Sequence, residues 1–285
     1  MKKIILLLFM TAILSNLSAQ EHEVGIVLSG GGALGYAHIG ALQALEEYGI
    51  FPTIVSGASM GSIIGAFYAH GYSPKQIREF VKFEKFYKPA KIVAPLVEKN
   101  KLGLFSQKNI LKILDKYIPH DSFDSLRMPF FVSVTNLSTS KSEYFNSGDS
   151  LHCYVLASAA IPTIFNAVKI NGDTYVDGGV LNNFPAQPIR NQCKYLIGID
   201  VKADCEFSKA KRIKDIFMRS LNVIIIQNSA EGRAMCDVLI SPQANQKYYE
   251  FDFAAFDEIY QYGYDATKKY LDENPEMVEK LRVKN

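Results

Sequence analysis

Two consecutive units of strand, glycine-rich turn and helix lie near the start of the chain, and they constrain its fold more than any other feature. In the first unit, an apolar strand at residues 24–28 is followed by the glycine loop 30–35 and by an amphipathic helix that ends at about Tyr48. The second unit repeats this plan over residues 53–69. Consecutive units of this kind favour a parallel sheet with helices packed on its faces.

Alternating strand and helix patterns continue to the end of the chain. Ser73-Pro74 predicts the start of another helix, with serine at the N-cap and proline at the first helical position. Asn171-Gly172 predicts a hairpin turn whose second strand ends at Asp177. The lysine-rich stretch 82–108 has weak periodicity and indicates a loop or lid. Further strands are predicted at residues 130–135, 143–145, 168–170, 174–176, 195–199 and 238–240, and further helices at 109–117, 151–160, 214–229 and 256–271.

No repeat or linker divides this pattern. We therefore expect residues 20–285 to form a single domain, a three-layer α/β/α sandwich around a central, mostly parallel sheet.

A chain with 48% hydrophobic and 21% charged residues can bury a sizeable core. Its formal net charge of +2 falls to zero without Lys2 and Lys3, and the mixed run 209–214 is typical of a solvated helix start. We therefore expect no nucleic-acid partner.

The first residues have the pattern of a secretory signal peptide. Lys2 and Lys3 precede an apolar stretch from Ile4 to Leu14, and Ala19 provides a small residue for cleavage. The apolar stretch is shorter than the ~20 residues of a membrane-spanning helix. We therefore expect residues 1–19 to be removed and the remaining chain to be periplasmic or secreted.

A candidate nucleophile lies in the second strand–turn–helix unit. Gly57-Ala58-Ser59-Met60-Gly61 fits G-x-S-x-G, a turn in which the serine projects from between a strand and a helix. The start of that helix would favour the negative charge that develops beside the serine. The simpler interpretation is a serine that only caps a glycine-bounded helix.

The glycine loop of the first unit is the candidate oxyanion hole. Successive backbone amides at the start of a helix suit the anion that forms when a serine attacks an ester carbonyl. The same letters satisfy the dinucleotide motif G-x-G-x-x-G, but the second strand then lacks the acid that would hold a ribose and runs into the serine turn instead. The loop residues proposed for the oxyanion hole are Gly30, Gly31, Gly32, Ala33, Leu34 and Gly35.

A serine nucleophile requires a base, and Asp177 is the candidate. An α/β-hydrolase triad runs Ser, acid, His along the chain, and every histidine here precedes Asp177. Either another acid serves with a histidine, or no histidine is used. Asp177 ends a strand and is followed by two glycines, so another backbone can approach it and its carboxylate can accept a proton. The histidines are His22, His38, His70, His120 and His152.

Three sequence blocks together resemble the signatures of patatin-like phospholipases: SGGGALGYAHIGAL at residues 29–42, GASMG at 57–61 and Asp177-Gly178-Gly179. The likeness covers most of residues 24–200. It implies a patatin-like fold, a dyad of Ser59 and Asp177, a glycine-loop oxyanion hole and hydrolysis of acyl esters in lipids. Supporting stretches lie at 103–106, 158–162 and 175–185.

This resemblance implies a lipid or ester substrate and transient contact with a membrane surface. No metal or organic cofactor is expected, since the chain has no HExxH, EF-hand or P-loop motif. The four cysteines, at 153, 193, 205 and 236, have no zinc-site spacing.

One position departs from the family pattern. Many relatives have Arg or Lys where this chain has Leu34, so we expect Leu34→Arg to shift turnover towards anionic lipids if position 34 faces the site. The departure also leaves open an exported binding protein with this fold and little turnover.

Overall fold

The computed structural model describes residues 22–86, 88, 94–95, 103–203 and 213–282. The predicted signal peptide lies outside these residues, as do Cys205 and most of the basic run 209–214. The predicted loop or lid at 82–108 is described only in part.

A mixed, mostly parallel sheet of eight strands forms the centre of the molecule. Its order is β11-β10-β1-β2-β5-β9-β8, and β6 pairs with β5. The pairs among β11, β10, β1, β2 and β5 are parallel, and those of β6, β8 and β9 are antiparallel. These strands are β1 (His22–Leu28), β2 (Ile54–Ala58), β5 (Phe130–Asn136), β6 (Lys141–Phe145), β8 (Val168–Ile170), β9 (Asp173–Asp177), β10 (Cys193–Ile199) and β11 (Val238–Ile240).

Helices follow the strands in the order that the sequence pattern predicts, and the α/β/α fold class is confirmed. The described helices are α1 (Tyr36–Glu47), α2 (Met60–His70), α3 (Pro74–Phe83), α4 (Lys108–Tyr117), α5 (Leu151–Ser158), α6 (Ile213–Asn228), α7 (Ala230–Ala234), α8 (Phe256–Glu273) and α9 (Pro275–Leu281). None of these described helices is long and apolar enough to span a membrane.

The apolar core lies on both faces of the sheet, and the cluster of buried side chains is much larger on one face than on the other. Ile26 and Leu28 of β1 face a large cluster with α1, α2, α5 and α8, while Val27 faces a smaller one that includes Phe184 and Leu196. Successive side chains of a strand point to opposite faces of the sheet, so a strand buried on both faces contributes alternately to the two clusters.

Helix α1 is almost wholly buried, so the prediction that it is amphipathic is wrong. Its outer side is covered by α8, where the ring of Tyr36 packs edge-to-face against Phe256 with ring centroids 4.8 Å apart. A helix packed on both sides needs apolar or small residues around most of its circumference.

A second sheet of three short strands was not predicted. It has the order β3-β4-β7, where β3 is Ala94–Pro95, β4 is Gly103–Ser106 and β7 is Thr163–Phe165. Strands of two to four residues are too short to show a period, and β4 pairs with a strand about sixty residues later. The described parts of 82–108 therefore include strands as well as loop.

Candidate active site

Ser59 lies at a sharp turn between β2 and α2. Its backbone has φ 51° and ψ −124°, a conformation that costs a non-glycine residue free energy and that persists only where the surroundings enforce it. A Cβ at Gly61 would collide with the carbonyl oxygen of Leu28, so α2 begins in direct contact with the end of β1. The G-x-S-x-G pattern thus forms the predicted elbow.

Serine hydroxyls hold the backbone of this elbow. The amide of Ser59 donates to Ser158 Oγ at 2.9 Å, and Ser158 Oγ donates to the carbonyl of Ser133 at 2.7 Å. Ser62 Oγ donates to the carbonyl of Ser59 at 2.7 Å. The sequence did not identify Ser158 as part of the site, although it opens one of the stretches that resemble the family.

Asp177 reaches Ser59 from the end of β9. The predicted hairpin forms, and Asn171 and Gly172 have the positive φ values, 52° and 92°, of its favoured two-residue turn. Ser59 Oγ donates to Asp177 Oδ2 at 2.7 Å, and the amide of Gly179 donates to Asp177 Oδ1 at 2.8 Å. The structure therefore brings the two residues of the predicted dyad into direct contact.

Burial changes the protonation of this carboxyl group. Desolvation raises the pKa of Asp177 to about 6, although the hydrogen bonds from Ser59 and Gly179 stabilise the carboxylate and limit the rise. A carboxylate with a pKa just below neutrality is ionised at pH 7 and is still basic enough to accept a proton.

Only part of the glycine loop is available to bind an anion. The amides of Gly31 and Gly32 have no hydrogen-bond acceptor among the described residues, and both glycines line the cavity beside Ser59. The amides of Gly30, Ala33 and Leu34 donate to the carbonyls of Asn183, Glu250 and Gly31 at 3.2, 2.8 and 3.2 Å. Gly35 packs against Met60 and does not line the cavity. Of the six residues predicted for the oxyanion hole, Gly31 and Gly32 are therefore the ones whose amides are available at the cavity.

Leu34 does not face the site. Its side chain is 1% exposed and belongs to the apolar core beneath the loop. The condition for a change of substrate preference in Leu34→Arg is therefore not met, because a guanidinium at this position would be buried without a partner. We instead expect this variant to lose stability.

His38 and His152 have polar contacts with groups other than Ser59 and Asp177. His38 is fully buried with Nε2 2.8 Å from the carbonyl oxygen of Ser29, and burial lowers its pKa to about 4. His152 Nδ1 lies 3.0 Å from Asp115 Oδ1. Within the described part of the chain, no histidine lines the cavity that contains Ser59.

Asn183 connects the glycine loop to the segment that follows Asp177. It is buried, its carbonyl accepts from the amide of Gly30, and its Nδ2 donates to the carbonyl of Gly30 at 3.3 Å. Asn228 at the end of α6 accepts from the amide of Asn183 at 3.0 Å and donates to the carbonyl of Gly179 at 2.9 Å. Neither role was predicted. For Asn183 the only signal was its place in the family-like stretch 175–185.

A buried ion pair stands on the other side of the glycine loop. Lys202 Nζ contacts Glu250 Oε1 and donates to Asn222 Oδ1 at 2.9 Å, while Asn222 Nδ2 donates to Glu250 Oε1 at 2.8 Å. Burial alone would raise the pKa of Glu250, but attraction to Lys202 and these hydrogen bonds hold it below its usual value. The carbonyl of Glu250 also accepts from the amide of Ala33, so this pair helps to fix the loop.

These elements surround a narrow cavity of about 40 Å³. It has room for about three water molecules. Groups of the elbow, the glycine loop and the ion pair line it together with apolar side chains. The lining residues are Gly31, Gly32, Ser59, Ile161, Pro162, Asp177, Gly179, Val180, Asn183, Lys202, Met218, Leu221, Asn222, Ile225 and Glu250. Among the residues described, no group of three His, Cys, Asp or Glu could hold a metal ion.

The sequence and the fold both have known relatives. The family model described as patatin-like phospholipase matches residues 26–189. A lysophospholipase NTE1 of Meyerozyma guilliermondii is 27% identical over 288 residues, which cover 88% of this chain and 19% of the relative. An uncharacterized NTE family protein of Mycobacterium bovis is 32% identical over 168 residues, 59% of this chain and 45% of the relative.

The chain thus spans about a fifth of the yeast protein and less than half of the mycobacterial one. Among solved structures, VipD from Legionella pneumophila has a TM-score of 0.52 at 17% identity, covering 89% of this chain and 67% of that protein. At that identity the likeness concerns the fold alone.

Proposed function

This chain belongs to the patatin-like phospholipase family, and we propose that it is a lipid acyl hydrolase that uses Ser59 and Asp177 as a catalytic dyad. The observation that carries this proposal is the 2.7 Å hydrogen bond from Ser59 Oγ to Asp177 Oδ2, beside the two unoccupied amides of Gly31 and Gly32. A nucleophile, a base and an oxyanion site are therefore present in one cavity.

The geometry supports a two-step acyl transfer. Asp177 accepts the proton of the Ser59 hydroxyl as Ser59 Oγ forms a bond to the ester carbonyl carbon, and the amides of Gly31 and Gly32 hold the oxyanion. The carbon–oxygen bond to the leaving alcohol then breaks, and that alcohol takes the proton from Asp177. Water next loses a proton to Asp177 and attacks the acyl-enzyme. The fatty acid leaves as the proton returns to Ser59.

The substrates we propose are phospholipids and lysophospholipids, because the yeast relative is named a lysophospholipase. The test is an assay of fatty acid release by the purified protein. Its substrates are a phospholipid, a lysophospholipid, a neutral lipid and a short-chain ester. We expect release of fatty acid from at least one of the lipids, and no release from any of them would contradict the proposal. We also propose that the protein acts after export, on the basis of the signal-peptide pattern at residues 1–19.

We expect activity to depend on the ionisation of Asp177. Because the base must be the carboxylate, kcat/KM should fall about tenfold per pH unit below the pKa of Asp177, which is about 6. The measurement is the pH–rate profile for a soluble ester between pH 4.5 and 8. An activity that stays level down to pH 4.5 would show that Asp177 is not the titrating base.

Single replacements of the histidines should leave measurable activity. His70→Asn, His120→Asn and His152→Asn are expected to remain within about tenfold of the wild-type rate, because these side chains do not reach the cavity. His38→Gln should do the same if it folds, since only Nε2 makes a hydrogen bond there. Steady-state rates with circular dichroism as the folding control would check this. A loss as deep as that of Ser59→Ala, in a folded variant, would restore a histidine base.

A further inference from the structure

Helix α6 has apolar side chains on two sides. Met218, Leu221 and Ile225, spaced three and four residues apart, line the cavity. Ile213 and Ile216 are exposed on the same helix, by 91% and 54%. A helix on the surface of a globular protein normally has polar residues on its outer side. The outer side of α6 therefore requires an explanation.

The segments that contact α6 near the cavity also expose apolar side chains. Leu181 follows Val180 of the cavity wall, and Tyr249 and Phe251 flank Glu250. Hydrogen bonds join both segments to α6, from Asn228 to the carbonyl of Val180 and from Asn222 to Glu250. We call the exposed apolar side of the helix the α6 face; its residues are Ile213, Ile216, Val223 and Ile224.

Helix α6 forms part of the wall of the cavity that contains Ser59. Four of its residues, Met218, Leu221, Asn222 and Ile225, are among the residues that line this cavity. Hydrogen bonds of Asn222 and Asn228 join this side of the helix to the body of the protein. The helix that carries the exposed apolar side chains is therefore also a wall of the cavity with Ser59.

We propose that the α6 face docks on a lipid surface, so that an acyl chain passes from the lipid to the cavity that the other side of α6 lines. This inference rests on the proposed function, since it states that the enzyme takes its lipid substrate from a membrane or vesicle surface. A lipid surface is the occupant because the exposed apolar face and the cavity wall are two sides of one helix. Both sides of α6 therefore offer apolar surroundings to a lipid chain, the outer side at the α6 face and the inner side at Met218, Leu221 and Ile225.

The test compares Ile216→Glu and Ile224→Glu with the matched control Leu137→Glu, using the purified chain. Ile216 and Leu137 are 54% and 53% exposed, but Leu137 lies in the β5–β6 turn. Binding to phosphatidylcholine vesicles is measured by co-sedimentation, and hydrolysis is measured on those vesicles and on a soluble short-chain ester. We expect each α6 variant to lose at least about tenfold in vesicle binding and vesicle hydrolysis, because a carboxylate opposes insertion. Its rate on the soluble ester, and all rates of Leu137→Glu, should stay within about twofold of wild type.

Three results would overturn the proposal. The first is unchanged vesicle binding in both α6 variants. The second is a loss of activity on the soluble ester as large as the loss on vesicles, which would show that these residues support folding or catalysis and not docking. The third is a wild-type dimer that Ile216→Glu dissociates, which would make the α6 face a contact between two copies. Vesicle binding is also measured with Ser59→Ala, because docking does not require turnover. Failure of the proposed function and failure of docking are thereby distinguished.

Discussion

Ser59→Ala is expected to lower the hydrolysis of every ester substrate by at least about 10³-fold while the protein stays folded. The replacement removes the nucleophile, and losses of this size or larger are typical of serine hydrolases without their serine. The backbone conformation at φ 51° costs alanine about as much free energy as serine, so the thermal midpoint of unfolding should change little. The measurement is kcat/KM on a short-chain ester and on a lysophospholipid.

Ser56→Ala is the matched control for this variant. Ser56 is a buried serine of β2, three residues before Ser59, and its hydroxyl has no hydrogen-bond partner among the described residues. Removing an unsatisfied buried hydroxyl costs little stability, so activity and stability should both stay near wild type. More than a tenth of the wild-type rate in Ser59→Ala would reject Ser59 as the nucleophile.

Asp177→Asn should lose at least about 10²-fold in kcat/KM, because an amide cannot accept the serine proton. Its Oδ1 can still accept one of the two hydrogen bonds that Asp177 receives from Ser59 and Gly179, so the turn is expected to persist. Asp173→Asn, at the other end of β9, is the matched control and should keep most of the activity. Equal rates for the two variants would exclude Asp177 as the base.

The same variant also changes how stability depends on pH. The pKa of Asp177 rises from 3.8 to about 6 on folding, so the native state binds this proton more tightly than the unfolded chain. The free energy of unfolding of the wild type should therefore fall as pH rises from about 4 to 7, by on the order of 3 kcal/mol relative to Asp177→Asn. Urea unfolding of both proteins at pH 4, 5, 6 and 7 would measure this. A difference that does not change with pH would contradict the raised pKa.

Much of this fold was predictable because its signals are local. The elbow at Ser59 requires only glycines around a serine between a strand and a helix, and the hairpin that carries Asp177 is marked by Asn171-Gly172. Asp177 was a candidate base because it ends a strand before two glycines, and the family resemblance implied the dyad with Ser59. The 2.7 Å hydrogen bond from Ser59 Oγ to Asp177 Oδ2 agrees with both.

The rest of the site depends on contacts between distant parts of the chain. Asn183 meets Gly30 across 153 residues, and Lys202 meets Glu250 from two segments without a common motif. The error at Leu34 has a related cause: a glycine loop shows that amides are exposed, but not which amides are already bonded or which side chains turn into the core. Those outcomes are decided by the packing of Glu250 and the surrounding apolar residues.

The most direct test of the central claim is reaction with a fluorophosphonate, followed by mass spectrometry of the modified peptide and an activity assay on the same sample. The account predicts one adduct, on Ser59, whose formation abolishes ester hydrolysis in proportion to labelling and is strongly slowed in Asp177→Asn. An adduct on another residue, or full activity in protein labelled at Ser59, would contradict it.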